Sequence, residues 1–385
     1  MYDQLKYFPV NWIDGMKINK DHFIAQDNAM NNMQQMSAAV NLSPIRYGVL
    51  PGAEETNIRV VLSADNQNTL SVAVLHCKAI TPGGVIIHIP GLGDNNNNAP
   101  VAATFPFSVS GTKSIYHVVL IVHPFERQPA GNPDLEENPP RYPFTTPEYK
   151  IEIADESRYR QFARHPYALT IGRVMVDANS VRIDEEYIPA CISLNAHPDL
   201  VQLHAELDQF LAGLELRCSQ IVQKIFKKSQ QNDLSELALF LCDRIMIYLS
   251  QSLTSMRRTV AYEPPIALFA TISGLARSMK NTIDLRIGSG KDELMNYLSE
   301  WCELNQGELE SMLTGVANLP YNHNNINDSI GPVIRFAKVT SKLFETLSNL
   351  EFIGKRKEAG IFVKEEHKHQ SYETPPNKTK RRFFG

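Results

Sequence analysis

The sequence predicts a multidomain α+β protein: an N-terminal all-β, sandwich-like shell, an α-helical bundle neck and a short helical C-terminal region. Three observations carry this. Short Val- and Ile-rich runs alternate with turn residues up to about residue 192, apolar residues recur every three or four positions after it, and the chain beyond Lys355 is polar and charged. The domains are accordingly expected at 1–192, 193–318 and 319–385.

The β-type runs fall at 58–62, 70–79, 84–89, 115–122, 150–153 and 168–176, bounded by Pro, Gly, Asn and Asp. That is the pattern of a sandwich or barrel. The spacers at 90–100 and 126–148 hold too much Pro, Asn and Gly for helices and read as exposed loops. Gly91 and Gly93 lack a following helix to present amides to phosphate, so they mark a turn.

The helical region opens with Pro198 in a first turn, where proline is tolerated. Leu200, Leu203, Leu207, Phe210 and Leu214 form a stripe that Ile221 and Ile225 extend and only Arg217 interrupts. A helix of roughly thirty residues spans about 45 Å, which favours a long bundle. A second helix from Asp233, capped by Asp233 or Ser235, turns Leu234, Leu237, Leu241, Ile245, Tyr248 and Leu249 inward. A third opens at Pro264 and Pro265 and runs through Leu268, Ile272, Leu275 and Met279 to Gly288 and Gly290. The fourth is expected over 292–315, through Leu294, Leu298, Trp301, Leu304 and Met312. Short connections between such helices indicate an up-and-down bundle. Residues 319–332 read as a loop, and a fifth helix over 332–350 carries Val333, Phe336, Leu343, Leu347 and Leu350 on one face. A lone helix of that length is marginal in water, so the face packs on the neck or on a partner. Phe336, Leu343 and Leu347, with Phe383 and Phe384 beside the basic Lys378, Lys380, Arg381 and Arg382, are the candidate C-terminal docking residues.

Composition narrows the function. The 385 residues, 43% hydrophobic and 21% charged, have the make-up of a globular protein with several cores. A net charge of −4 lacks the basic excess that nucleic-acid binders present, so no nucleic-acid partner is expected. No run of 18 apolar residues predicts an integral membrane segment, and the N-terminus lacks the pattern of a secretory signal. Five scattered cysteines without a C-x-x-C pair suit buried thiols in the cytoplasm.

Chemistry is sparse. There is no H-E-x-x-H, G-x-S-x-G or Walker lysine loop. His123, His165 and His197 each precede a proline at an element boundary, His367 and His369 sit in the polar tail, and Glu136, Glu137 and the 184–186 acids read as solvated loop charges. No catalytic, metal or cofactor site is expected, and the chain is read as a protein that is not an enzyme.

Three segments carry a resemblance. The first runs from Val10 and Trp12 through Gly15, Met16, His22 and Phe23 to Gln26 and Asp27. The second is Asp184, Glu185, Glu186, Tyr187, Ile188, Pro189 and Cys191, followed by a Leu-rich helix. The third is Glu263-Pro264-Pro265 leading to Leu268, Gly274 and Leu275. In this order the chain resembles TssK, the baseplate subunit family of bacterial type VI secretion systems, over residues 1 to about 318.

The resemblance implies a homotrimer whose β shell binds baseplate wedge proteins, whose neck trimerises and whose C-terminal head faces the membrane complex. The chain is then expected in the cytoplasm at the inner face of the envelope. Residues 319–385 are shorter than the usual head, and Lys17 and Lys20 stand where many members are apolar, so a divergent subtype is expected. Trp12, Gly15, Met16, His22 and Phe23 form the candidate shell interface motif, with Trp12 and Phe23 expected to be buried in the shell or at the wedge contact. Gly15 is expected in a turn, His22 as a hydrogen-bonded structural histidine, and Tyr187, Ile188 and Pro189 as the shell–neck joint stiffened by proline. Two other readings are a phage-tail-like receptor-binding or baseplate protein outside secretion, and an enzyme with a helical oligomerisation domain.

Overall fold

The computed structural model describes residues 6–52, 57–65, 68–90, 101–107, 113–177 and 180–354. The fold is α+β and divides into two compact units. The first comprises Met1–His197 with two returning segments, Tyr262–Ile266 and Tyr321–Asn327; the second comprises Pro198–Ala261, Ala267–Pro320 and Asp328–Gly385.

The first unit begins with α1 (Lys20–Ala39) and β1 (Gly48–Val49), then β2 (Ile58–Ala64), β3 (Thr69–Ile80), β4 (Ile86–Ile89) and β5 (Val101–Pro106). β3 is the hub of a five-stranded antiparallel sheet, pairing with β1, β2, β4 and β5. The strands β6 (Ser114–Ala130), β7 (Phe144–Asp155), β8 (Ala168–Val176) and β9 (Val181–Ile183) form a second antiparallel sheet in the order β7-β6-β8-β9. Alternate residues of the two sheets share one core: Leu70, Val72 and Val74 of β3, Val118, Leu120 and Val122 of β6, Leu169 and Ile171 of β8. β6 is buried on its other face too, because Val119 and Ile121 pack under Tyr159 of the short helix α2 (Glu156–Phe162). This explains why 118–122 is a continuous apolar run instead of an alternating one.

The 126–148 spacer, expected as an exposed loop throughout, is one only over 131–143, and its two ends are strand. β6 continues to Ala130 and pairs with β7 from Arg127↔Pro147 to Ala130↔Phe144, beyond a bulge between His123 and Arg127. Proline is tolerated in such a strand at an edge or beside a bulge, so its frequency there is a poor loop signal. The helix α2 had no apolar period to reveal it over its seven residues; Asp155 caps it by accepting from the Arg158 amide at 2.8 Å. Residues 91–100, with Gly91 and Gly93, lie outside the described residues.

The second unit holds α3 (Pro198–Lys227), α4 (Asp233–Arg258), α5 (Ile266–Asp284), α6 (Lys291–Cys302), α7 (Gln306–Ala317) and α8 (Asn327–Asn349), apart from the ends assigned to the first unit. The α3 stripe is buried as its period requires, and Cys218 fills the inward position beside Arg217. Asn232, rather than Asp233, caps α4, and Ser235 closes the capping box. By length and mean hydropathy of 1.2, α4 could cross a membrane, but its Leu237, Leu241, Ile245 and Leu249 form a buried face within this unit.

The single fourth helix expected over 292–315 is two helices. Glu303 adopts a left-handed φ of 60°, and Asn305 caps α7 in a box with Glu308. The expected 319–332 loop is also shorter, because α8 winds from Asn327 and carries Pro332 in its second turn. One proline removes one helical donor, and the buried face of the longer helix offsets that loss.

Close packing gives one stability prediction. A Cβ on Gly274 would stand 2.4 Å from the Tyr248 hydroxyl, which donates to the Thr271 carbonyl at 2.6 Å. Gly274→Ala is expected to lower unfolding free energy in urea by about 1–3 kcal/mol. Tyr248→Phe in the same chain should recover part of it, and equal stability of wild type and Gly274→Ala would refute this packing.

Candidate interaction surface

The N-terminal arm and α1 form a surface of inverted polarity. The residues that α1 buries are Asn28, Ala29, Asn32 and Gln35, whereas Phe23, Met30 and Met33 face out. The buried amides bind backbone. Asn32 Oδ1 accepts from the Lys6 and Tyr7 amides at 2.8 and 3.2 Å, and Gln26 Oε1 accepts from the Val10 amide at 3.0 Å. The arm therefore runs antiparallel along α1, and Arg127 of β6 reaches Asp27 at 3.0 Å.

The chain then turns at Gly15, whose φ of 77° is closed to most side chains, while the Met16 amide donates to the Ile13 carbonyl. Asn19 caps α1, and His22 Nδ1 accepts from the Asn19 amide at 3.2 Å. His22 is thus a capping histidine. Met16 is half-buried in this turn.

Trp12 and Phe23 are not buried in the shell. Their rings lie 6.2 Å apart, with His22 6.1 Å from Trp12, and they remain 46% and 58% exposed. Phe8, Ile13 and Ile18 are exposed beside them in the sequence. An apolar set of this kind is unusual on an isolated surface.

Tyr187, Ile188 and Pro189 lie within the first unit. Tyr187 is buried, donates to the Asn324 carbonyl at 3.0 Å and faces the Arg173 guanidinium at 5.8 Å. Arg173 is in turn paired with Asp184 at 2.6 Å. Ile188 is fully buried, its amide donating to Asn327 Oδ1 at 2.9 Å, and the Pro189 carbonyl accepts from Cys191 Sγ. Burial pushes the Tyr187 phenol well above its ordinary pKa. The sequence did not single out the segment that these residues contact, 321–327, because its Asn-rich text reads as any solvent loop would.

The C-terminal docking residues are corrected. Phe336, Leu343 and Leu347 are buried within the helical unit, with Phe336 edge-on to Phe210 at 6.2 Å between ring centroids. Their apolar stripe is satisfied by intramolecular packing, so they offer no docking surface. Phe383 and Phe384 lie outside the described residues.

Among solved structures the chain is similar to a crystal structure of TssK, at 17% identity over 88% of this chain and 69% of that one, with a TM-score of 0.46. It is also similar to a chain of the type VI secretion baseplate complex (14%, 88% and 99%, TM-score 0.47). A third likeness is to the TssK-TssF-TssG baseplate subcomplex (16%, 88% and 100%, TM-score 0.43). No curated protein matches the sequence. The bacterial type VI secretion family that includes EvfL, ImpJ and VasE matches residues 22–281, from the start of α1 into α5. That match spans more than half of the chain, and the protein belongs to this family, the TssK family of bacterial type VI secretion.

Proposed function

We propose that this chain is a structural, non-catalytic adaptor of the type VI secretion baseplate that connects wedge proteins to the membrane complex. The observation that supports this best is the inverted polarity of α1 and its arm. Amides that would be costly to bury unpaired are used up inside, and the aromatic and aliphatic groups are left outside. Trp12 and Phe23 are the anchors of the wedge contact, with Gly15, Met16 and His22 fixing the turn and cap that present them. The partners are wedge proteins of the kind that accompany TssK in the TssK-TssF-TssG subcomplex.

The working form is a homotrimer, assembled through the neck over 193–318 and carrying three wedge-binding shells over 1–192. Val201 and Leu216 on the outward side of α3 are 47% and 55% exposed, and Ala205, Ala212 and Ser219 recur there at seven-residue spacing. Three shells on one assembly raise effective concentration, so weak single contacts give a firm connection. The chain after the returning segment Tyr321–Asn327, 328–385, is assigned to the membrane-complex side, in the cytoplasm at the inner face of the envelope.

The test is the mass and the company of the full chain. Light scattering should give three times the 43.4 kDa chain mass at micromolar concentration, and co-expressed wedge proteins should be recovered with it. A monomer mass would remove the trimer, and failure to recover wedge proteins would remove the adaptor reading.

A further inference from the structure

The segment Tyr321–Asn327 follows α7 in the chain, yet it belongs to the β-rich unit. It is fastened there by a run of polar contacts. His323 is 4% exposed, with its ring edge-on to Tyr47 at 4.7 Å. Nε2 faces the Tyr47 carbonyl at 2.9 Å, an acceptor only, so Nε2 carries the proton; Nδ1 then accepts from the Tyr321 hydroxyl at 2.7 Å. Both ring nitrogens are satisfied by the neutral imidazole.

Asn324 and Asn327 extend the fastening. The Tyr47 hydroxyl donates to Asn324 Oδ1 at 2.8 Å, and the Tyr187 hydroxyl to the Asn324 carbonyl at 3.0 Å. Asn327 accepts from the Ile188 amide and donates to the Glu186 carbonyl at 2.6 Å. Arg173 donates to Asn325 Oδ1 at 3.1 Å.

We propose that Tyr321–Asn327 is an acid-sensitive strap, held against Tyr47 and the 186–188 segment while His323 is neutral and released locally when the imidazole takes a proton from solvent. The inference stands apart from the baseplate reading. A protonated His323 would keep its hydrogen bonds, since the Tyr321 hydroxyl can turn from donor to acceptor. What it loses is hydration, because the cation would be buried against aromatic rings.

The surroundings do not supply a compensating charge. Burial raises the phenols of Tyr47 and Tyr321 and the thiol of Cys191 above their ordinary values, so all three are neutral in acid. Of the carboxylates on adjoining segments, Asp184 is held by Arg173 and Glu263 by Arg46, while Glu186 and Asp328 flank the strap's anchors. Burial, opposed only by the Tyr47 carbonyl, pushes His323 down from 6.5 to about 4. The folded value is depressed, so the released state binds more protons. Strap stability is full above 6.5 and is lost progressively as pH falls toward 4.

Between pH 7 and pH 5 the ratio of open to closed strap should rise about 20-fold, from the two values of the imidazole. Hydrogen exchange of the full chain at both pH values, corrected for intrinsic exchange, reads this at the 321–327 amides and at Ile188. His323→Asn keeps one donor and one acceptor without titrating, and should abolish the pH-dependent step. Unchanged protection in the wild type, or a variant that tracks the wild type, would overturn the proposal. Should the variant fail to fold, the wild-type His323 imidazole proton signal decides: a midpoint near 4 supports the strap, and one near 6.5 sinks it.

Discussion

Replacing Trp12 and Phe23 together with alanine is expected to release the wedge proteins while leaving the chain folded. Both rings are about half exposed, so truncation creates no cavity in the core. The turn at Gly15 and the Asn19–His22 cap form without either ring. Aromatic anchors at the centre of an interface typically cost 2 kcal/mol or more each, and the pair should weaken binding by about 100-fold or more. Titration calorimetry or pulldown against wedge proteins reads the loss, and circular dichroism with thermal unfolding reads the fold. Retained wedge affinity would move the contact off the arm and α1. A collapsed melting temperature would show that the exposed rings serve stability instead.

Phe336→Ala should have the opposite profile, with partners retained and stability lost. The side chain has no solvent exposure and packs edge-on to Phe210 of α3. Removing a buried phenylalanine costs about 3–5 kcal/mol through lost transfer energy and the cavity left behind. Against a typical domain stability of about 5–15 kcal/mol that is a large share. Chemical denaturation should show the midpoint falling with little change in slope. A variant as stable as wild type but deficient in a binding partner would restore the docking role that burial argues against.

The contrast between these two residues shows what could be read in advance. Phe23 and Phe336 both sit on helices, and the sequence marks both as large apolar groups on a face that needs covering. One is covered by its own chain and the other is not. For α3, α4 and α5 the period sufficed, because Leu207, Ile245 and Ile272 lie in apolar stripes that are buried along each helix. For α1 residue size misleads. Its apolar residues face out because Asn28, Asn32 and Gln35 are drawn in, and Asn32 also holds the backbone of Lys6 and Tyr7.

The α6–α7 break was legible in principle. Asn305 and Glu308 form the spacing of a capping box, but Leu304 and Met312 continued the apolar count across it and hid the stop. The strap had no such signal. His323 meets Tyr47, Asn327 meets Ile188, and each pair is separated by more than a hundred residues.

By itself, then, the sequence determined the β-to-α change of character, the inward faces of the long helices, the turn at Gly15 and the family outline. Apart from the family outline, which rests on three segments in order, these depend on residues one to four positions apart, which share a local geometry. The tertiary structure alone decided that Phe336 is core and Trp12 surface, that β6 is covered on both sides, and that His323 is a buried neutral fastening. Burial and the state of a titrating group depend on what the rest of the chain brings into contact, and no local pattern encodes that.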